Sequence, residues 1–274
     1  MNLSRRIGTL ERPDCKIHYE VHGGAGPAIV FSHGFAGSHV SWFQQIPYFS
    51  DRYTCVTFSH RGFAPSSSIE GGPDPADFAA DLAALISHLE LTDVRLVGQS
   101  MGGWEAIEYA LTQPPELKAM LLIGSTGTVD MTKISDIDHA RLDQFTQAQA
   151  AQMSALYARG VHPAAGERMA REQPALHLLY RHLDEQGGFE KTGLGMRIAA
   201  MRTRPSDDLK RIACPILYIA GAEDVIVPHF AIEAMARATP AAKLVIFEDA
   251  GHSTYFERPD RFNKLADDFF QSLR

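Results

Sequence analysis

Short apolar runs alternate along this chain with amphipathic segments of helical period, and that rhythm constrains the fold more than any other feature. A strand buried on both faces of a parallel sheet reads as a continuous apolar run, and the link to its parallel neighbour is long enough to hold a helix. Residues 28–32, 54–59, 94–97, 119–124, 216–220 and 243–247 are such runs. Between the second and third, Phe78, Leu82, Leu85, Ile86 and Leu89 share one helical face, and Asp74 and Pro75 stand ahead of it as a capped start. Helices are also predicted over 42–49, 101–112, 230–238 and 259–273, the second of these stopped by Pro114 and Pro115. Residues 8–12 and 16–22 read as an antiparallel pair, with a glycine-rich turn over 23–27. The expected class is α/β, with a mostly parallel central sheet.

After Thr126 the rhythm stops. Residues 132–204 are rich in Ala, Gln, Met, His and Arg and carry no strand pattern, so they read as three or four helices. The expected organisation is a sheet core made of 1–125 and 206–274, interrupted by a helical cap at 126–205. A length of 274 residues suits one such domain. With 45% hydrophobic and 22% charged residues, the composition is ordinary for a globular enzyme, and a core needs no covalent staples.

The formal net charge of -7, without any long basic run, argues against a nucleic-acid partner. No run is apolar enough to span a membrane, and Arg5-Arg6 is not followed by the apolar stretch of an export signal. Cys15, Cys55 and Cys214 are too few and too scattered for a disulfide framework. A cytoplasmic protein is expected, its partners being a small-molecule substrate and at most a second copy in a homodimer.

The most informative segment is Val94-Arg-Leu-Val-Gly-Gln-Ser-Met-Gly-Gly103. It puts Gly98-x-Ser100-x-Gly102 between an apolar strand and a helix. A nucleophilic hydroxyl exposed on a sharp strand-to-helix turn needs small residues on either side, and the helix start aims its free N–H groups at developing negative charge. Serine is a weak nucleophile at neutral pH, so a base must take its proton, and an ionised carboxylate must orient that base. Two later strands end in suitable residues: 216–220 runs on to Glu223-Asp224, and the strand over 243–247 is followed by Asp249-Ala-Gly-His252.

With these motifs the sequence resembles the α/β-hydrolase family over nearly all of the chain outside the cap. In that family the triad runs in the order Ser, Asp or Glu, His. The resemblance implies Ser100 as nucleophile, Asp224 as the acid and His252 as the base, with Glu223 and Asp249 as rivals for the acid. The long interval from Ser100 to Asp224 accommodates the cap, and the short one to His252 fits one helix and one strand. The oxyanion hole is expected from the backbone N–H of Met101 and of Phe35, the latter in Ser32-His33-Gly34-Phe35, which resembles the family's His-Gly-x loop. His33 is expected to be a structural residue of that loop. Ser59-His-Arg-Gly-Phe-Ala-Pro-Ser66 departs from the family's Asp-x-Arg-Gly-x-Gly-x-Ser, with Ser59 in place of the Asp and Ala64 in place of the second Gly.

Trp104, Tyr157 and Leu179 are expected to bind substrate. Met153, Leu156, Leu176 and Tyr180 are expected, with the latter two, to divide between packing on the core and lining a pocket. The cap histidines His139, His162, His177 and His182 lack metal-ligand spacing, and Gly23-Gly24-x-Gly26 precedes a strand where a dinucleotide loop would follow one. No metal and no cofactor is expected. Enol-lactonases and cofactor-free haloperoxidase-like esterases resemble the chain in size and in the Ser-Met-Gly-Gly and His-Gly-Phe segments. A serine hydrolase of a small, partly apolar ester or lactone is therefore the expectation. The alternatives are a carbon–carbon bond hydrolase of ring-cleavage diketones and a slow-turnover ligand receptor on the same scaffold.

Overall fold

A computed structural model describes residues 4–24, 26–186 and 191–273. Residue 25, in the expected glycine-rich turn, and residues 187–190, in the expected helical insertion, lie outside them, as do 1–3 and 274. One sheet of eight strands runs through the molecule: β1 (Arg5–Glu11), β2 (Lys16–Gly23), β3 (Ala28–Ser32), β4 (Thr54–Phe58), β5 (Val94–Gln99), β6 (Leu117–Ile123), β7 (Ile216–Gly221) and β8 (Lys243–Phe247). Their order is β1-β2-β4-β3-β5-β6-β7-β8. β2 pairs antiparallel with β1 and β4, and the remaining neighbours are parallel. The helices are α1 (Ile46–Phe49), α2 (Phe78–His88), α3 (Gly102–Leu111), α4 (His139–Ala158), α5 (Gly166–Glu172), α6 (Pro174–Glu185), α7 (Lys191–Ala200), α8 (His229–Ala238), α9 (Thr254–Glu257) and α10 (Pro259–Gln271).

Every residue of β3, β5 and β7 is buried, which is why these strands read as mainly apolar runs, with Arg95 and Gln99 the polar exceptions within β5 and Ser32 at the end of β3. Alternate side chains feed two cores. Leu96 joins Val30, Met120 and Tyr218 under α2, α3 and α8 through Leu82, Ile107 and Ile232. Val97 joins Phe31, Leu121 and Ile219 under α1 and α10 through Phe49, Phe262 and Phe270. α4 to α7 all fall between β6 and β7, and that segment leaves and rejoins the sheet domain at a parallel bridge between Val129 and Arg204.

The elements differ from expectation where local chemistry overrides period. The helix expected over 42–49 divides into a 3-10 turn, His39–Trp42, capped by Ser38, and α1, which restarts with Pro47 in its first turn. Proline has no N–H for a helix interior, so the break falls just ahead of it. β1 begins at Arg5, ahead of the expected 8–12, because β2 continues to Gly23 and Arg5 pairs with His22 at the far end of the ladder.

The topology also fixes where a site can form. β4 and β5 lie on opposite sides of β3, so the chain reverses its winding there, and a crevice opens at the carboxyl ends of the strands. Registers Ser32 with Gly98, Gln99 with Ile123, and Gly221 with Phe247 bring those ends to one edge.

Candidate active site

Ser100 stands between β5 and α3 with φ of +51°, a left-handed conformation uncommon for a residue with a side chain. Its backbone is held from three sides: the N–H donates to Ile123 O (2.9 Å), and the carbonyl accepts from Gly103 N (3.0 Å) and Ser125 Oγ (2.7 Å). The flanking glycines are steric necessities. A Cβ at Gly98 would lie 2.7 Å from the Gly102 carbonyl oxygen, and one at Gly102 would overlap the Ser32 carbonyl. Ser100 thereby reaches a cavity of about 550 Å³, whose wall includes Phe35, Met101, Trp104 and His252.

His252 follows β8. Its Nδ1 donates to Asp224 Oδ2 across 2.7 Å, and both side chains are almost fully buried. The other Asp224 oxygen accepts from the N–H groups of Ile226 (2.7 Å) and Val227 (3.0 Å). This carboxylate is thus solvated by the chain itself, and the Nε2 edge of His252 is left for the cavity. The rivals point elsewhere. Glu223 accepts from Arg168 Nε of α5 (3.0 Å), and Asp249 accepts from Arg258 Nε (2.8 Å) and Arg261 Nη1 (3.2 Å). Gly124 has φ of +54°, and a Cβ there would sit 3.0 Å from His252 Nδ1. Nothing in the sequence around Gly124 signalled that constraint.

The loop after β3 turns tightly, Gly37 N donating to Gly34 O (3.0 Å), and brings Phe35 to the cavity beside Met101. His33 supports it from below: Nδ1 donates to Gly34 O (2.7 Å), and Nε2 accepts from His60 N (3.1 Å). With both ring nitrogens committed, and burial holding its pKa well below the usual histidine range, His33 is a neutral structural group. His60 Nε2 donates to the His33 carbonyl (3.1 Å), and burial lowers His60 to about 4. The His60 ring stacks on Phe78, and its Nδ1 lies 3.4 Å from Glu105 Oε2. Glu105 also accepts from Ser32 Oγ, and burial raises its carboxyl well above the ordinary range. This buried polar network under the Phe35 loop escaped sequence reasoning, because its members come from separate elements.

Among the residues expected to bind substrate, Trp104 and Tyr157 line the cavity. Leu179 does not: it is half-buried against the core cluster below, and its neighbour Tyr180 forms the wall, with its hydroxyl 2.9 Å from Ser253 Oγ. Successive helical residues point about 100° apart, and the rotation of α6 turns Tyr180 toward the cavity and Leu179 toward the core. Met153 also lines it, while Leu156 is buried and Leu176 packs with Leu179. His162, Asp184 and Lys191 complete part of the rim as a paired set, Lys191 Nζ to Asp184 Oδ1 at 2.6 Å and His162 Nε2 to Asp184 Oδ2 at 3.2 Å. Beneath the histidine loop, Glu257 accepts from the N–H groups of Gly251 (2.9 Å) and Ser253 (3.1 Å).

Among the described residues, His18, Glu20 and His39 alone group with metal-ligand spacing, their donor atoms lying within 4.8 Å of one another. Glu20 is already met there by the Arg5 guanidinium, whose Nε lies 2.9 Å away. No helix of the described residues is long and apolar enough to cross a membrane.

Comparison with known proteins agrees with this architecture. The family model described as the alpha/beta hydrolase fold matches residues 27–259. The protein named as the carbamate hydrolase RutD of Agrobacterium fabrum is 29% identical over 263 residues, covering 90% of this chain and 95% of its own. A 3-oxoadipate enol-lactonase of Acinetobacter baylyi is 28% identical, covering 94% of each. Among solved structures, Est816, described as an N-acyl homoserine lactone degrading enzyme, superposes with a TM-score of 0.78 at 24% identity, over 96% of this chain and 100% of its own. The chain belongs to the α/β-hydrolase fold family, and it is a hydrolase.

Proposed function

We propose that this hydrolase cleaves a small, partly apolar carboxylic ester or lactone through an acyl-enzyme on Ser100. One observation carries the reading. A serine in the left-handed conformation shares a cavity with a histidine whose Nδ1 is already engaged by a buried, N–H-solvated carboxylate. With Nδ1 donating, His252 has Nε2 as its acceptor, the tautomer a general base requires. Ser100 Oγ attacks the carbonyl carbon and gives its proton to Nε2. The carbonyl electron pair moves to oxygen, where the N–H groups of Met101 and Phe35 hold it. Collapse breaks the bond to the leaving oxygen, which takes the proton back from His252. In a lactone the ring opens at this step and the alcohol stays attached. Water, deprotonated by His252, then attacks the acyl ester, and the acid leaves with Ser100 restored.

The relatives named as an enol-lactonase and a lactone-degrading enzyme support the lactone side of this reading. The name of the third relative, a carbamate hydrolase, denotes attack on a similar carbonyl centre. The segment 126–205 is read as a cap that selects substrate, since it supplies Met153, Tyr157 and Tyr180 to the cavity. The three free cysteines fit a reducing compartment, the cytoplasm. The test is turnover of p-nitrophenyl acetate together with labelling by a fluorophosphonate. A folded Ser100→Ala variant should escape labelling and lose on the order of 10⁴-fold or more in kcat. Labelling or turnover that survives in that variant overturns the assignment.

A further inference from the structure

We propose that Arg202 makes the cavity a receptor for substrates that carry a carboxylate in addition to the ester or lactone carbonyl. Arg202 follows α7 and lines the same cavity as Ser100 and His252. Its guanidinium carbon lies 5.1 Å from the centre of the Trp104 ring, and its Nε is buried with no hydrogen-bond partner. Among the described residues, no carboxylate lies within ion-pair distance of it. The other charged side chains of the wall are satisfied: Lys191 and His162 share Asp184, and His252 has Asp224.

Arg202 is half-buried with its Nε shielded from water, a costly place for a charge without an ion-pair partner. Burial lowers its pKa, and the charge of Asp130, which forms no ion pair with it, opposes that only in part. Other arginines of this fold find acids. Arg61 pairs with Asp81 and Asp77, Arg204 with Glu108 and Asp208, and Arg168 with Glu223. Arg202 instead lies over the Trp104 ring, and its Nε has no protein acceptor. A planar fork of N–H donors takes a carboxylate through two parallel hydrogen bonds. The wall offers no second unpaired cation among the described residues, so a singly charged carboxylate suits the site better than a phosphate.

Trp104 lies in the first turn of the helix that Ser100 precedes, so Arg202 on its ring and the nucleophile belong to one cavity wall. A substrate that reaches both carries its free carboxylate on the same molecule as the ester or lactone carbonyl, and a series of diacid half-esters reads the spacing between them.

This inference rests on Ser100 being the nucleophile, and the experiment separates the two. Mono-p-nitrophenyl esters of succinic, glutaric and adipic acid are compared with neutral acyl esters of equal chain length, in wild type, Arg202→Met and Arg202→Lys. In parallel, binding of glutarate and adipate is measured by calorimetry in the wild-type protein and in Arg202→Met. Wild type should favour at least one of the anionic esters over its neutral match. Arg202→Met should lower that ratio by about 10- to 100-fold, the range of a charged hydrogen-bonded pair, with Arg202→Lys between them. Dicarboxylate binding should weaken in Arg202→Met. If neutral esters turn over but the ratio is the same in wild type and Arg202→Met, the anion site is overturned and the nucleophile stands. If no ester turns over, yet dicarboxylates bind in an Arg202-dependent way, the anion site stands and the ester hydrolysis falls. Weakened folding of Arg202→Met with unchanged binding and ratio would reduce Arg202 to a packing residue on Trp104 and overturn the inference.

Discussion

Glu257 brackets His252 from below: one carboxyl group accepts the amides immediately before and after the imidazole-bearing residue. The contact is made through backbone, so it fixes where the loop carries the ring without touching the ring itself. Burial raises Glu257 to about 8, and the negative charge of Asp224 adds to this, while the two amides oppose it. At neutral pH the carboxyl is therefore protonated in the fold and ionised in the unfolded chain.

That linkage has a definite sign. A folded pKa raised above its ordinary 4.5 gives stability that is whole below about 4.5 and is lost as pH rises toward 8. Neutral His39 and His60, lowered to about 4, act in the opposite direction as pH falls from 6.5, so the clean window lies between 6.5 and 8. In that window the unfolding free energy of wild type should fall by up to about 1.4 kcal/mol per pH unit as pH rises, and Glu257→Gln should flatten that fall and the decline of Tm that goes with it. Thermal unfolding of both proteins across the window checks it, and parallel curves would refute it.

Asp224→Asn should cut kcat by about 10⁴-fold with the fold retained, because the amide no longer holds the base in its working tautomer. Asp249→Asn, which disturbs only the surface pairs with Arg258 and Arg261, should leave kcat within about twofold of wild type. Steady-state kinetics on one activated ester suffices, and the reverse outcome would move the acid to Asp249.

Gly124→Ala combines a left-handed backbone with a methyl aimed at the His252 imidazole. Strain of this kind is worth about 1–3 kcal/mol in stability, and ring displacement of even a fraction of an ångström should damage turnover more than folding does. A Tm drop of a few degrees with kcat reduced at least tenfold is expected. Full activity would mean that the ring tolerates the shift.

Within the inserted helices, Tyr157→Ala and Met153→Ala should change the ratio of kcat/KM between short and long acyl esters, since both side chains line the cavity. Leu179→Ala should shift both substrates together and lower stability by about 1–2 kcal/mol, as half of a core deletion would. An equal effect of all three on both esters would mean that the core loops alone choose the substrate.

How much was legible in the sequence follows from what each residue type reports. Ala28–Ser32 and Ile216–Gly221 announce themselves because two buried faces make nearly every residue along them apolar. Ser100 is readable because a hydroxyl on a left-handed turn demands Gly98 and Gly102 within two positions. Leu179 and Tyr180 were not separable, because a cavity wall and a core are both apolar and only the rotation of α6 distinguishes them. Arg202 gave no local signal, since an arginine with a partner and one without look alike in a string of letters. The network of Ser32, Glu105, His60 and His33 depends on β3, α3 and the loop after β4 meeting in space, and no spacing along the chain encodes that meeting.

The bridge between Val129 and Arg204 has a consequence for how this molecule can change. It is reinforced by Asp130 N donating to Arg204 O and by Arg204 N donating to Thr128 O, so the inserted segment begins and ends at one stitched point. The closure entropy of a loop grows only with the logarithm of its length, about 0.6 kcal/mol for each doubling. The sheet is therefore nearly blind to how long the segment is. A different set of helices could be grafted at that stitch without re-registering β6 against β7. The clasps that would have to be rebuilt or abandoned include Gln149 on the carbonyls of Val225 and Ile226, Arg168 on Glu223, Gln173 on the Glu257 carbonyl, Tyr180 on Ser253, and Arg197 on the carbonyls of Gly71 and Pro73. On the reading proposed above, the scaffold is an exchangeable holder: Ser100, Asp224 and His252 stay with the sheet, and a substituted segment between Val129 and Arg204 would carry a new choice of substrate with it.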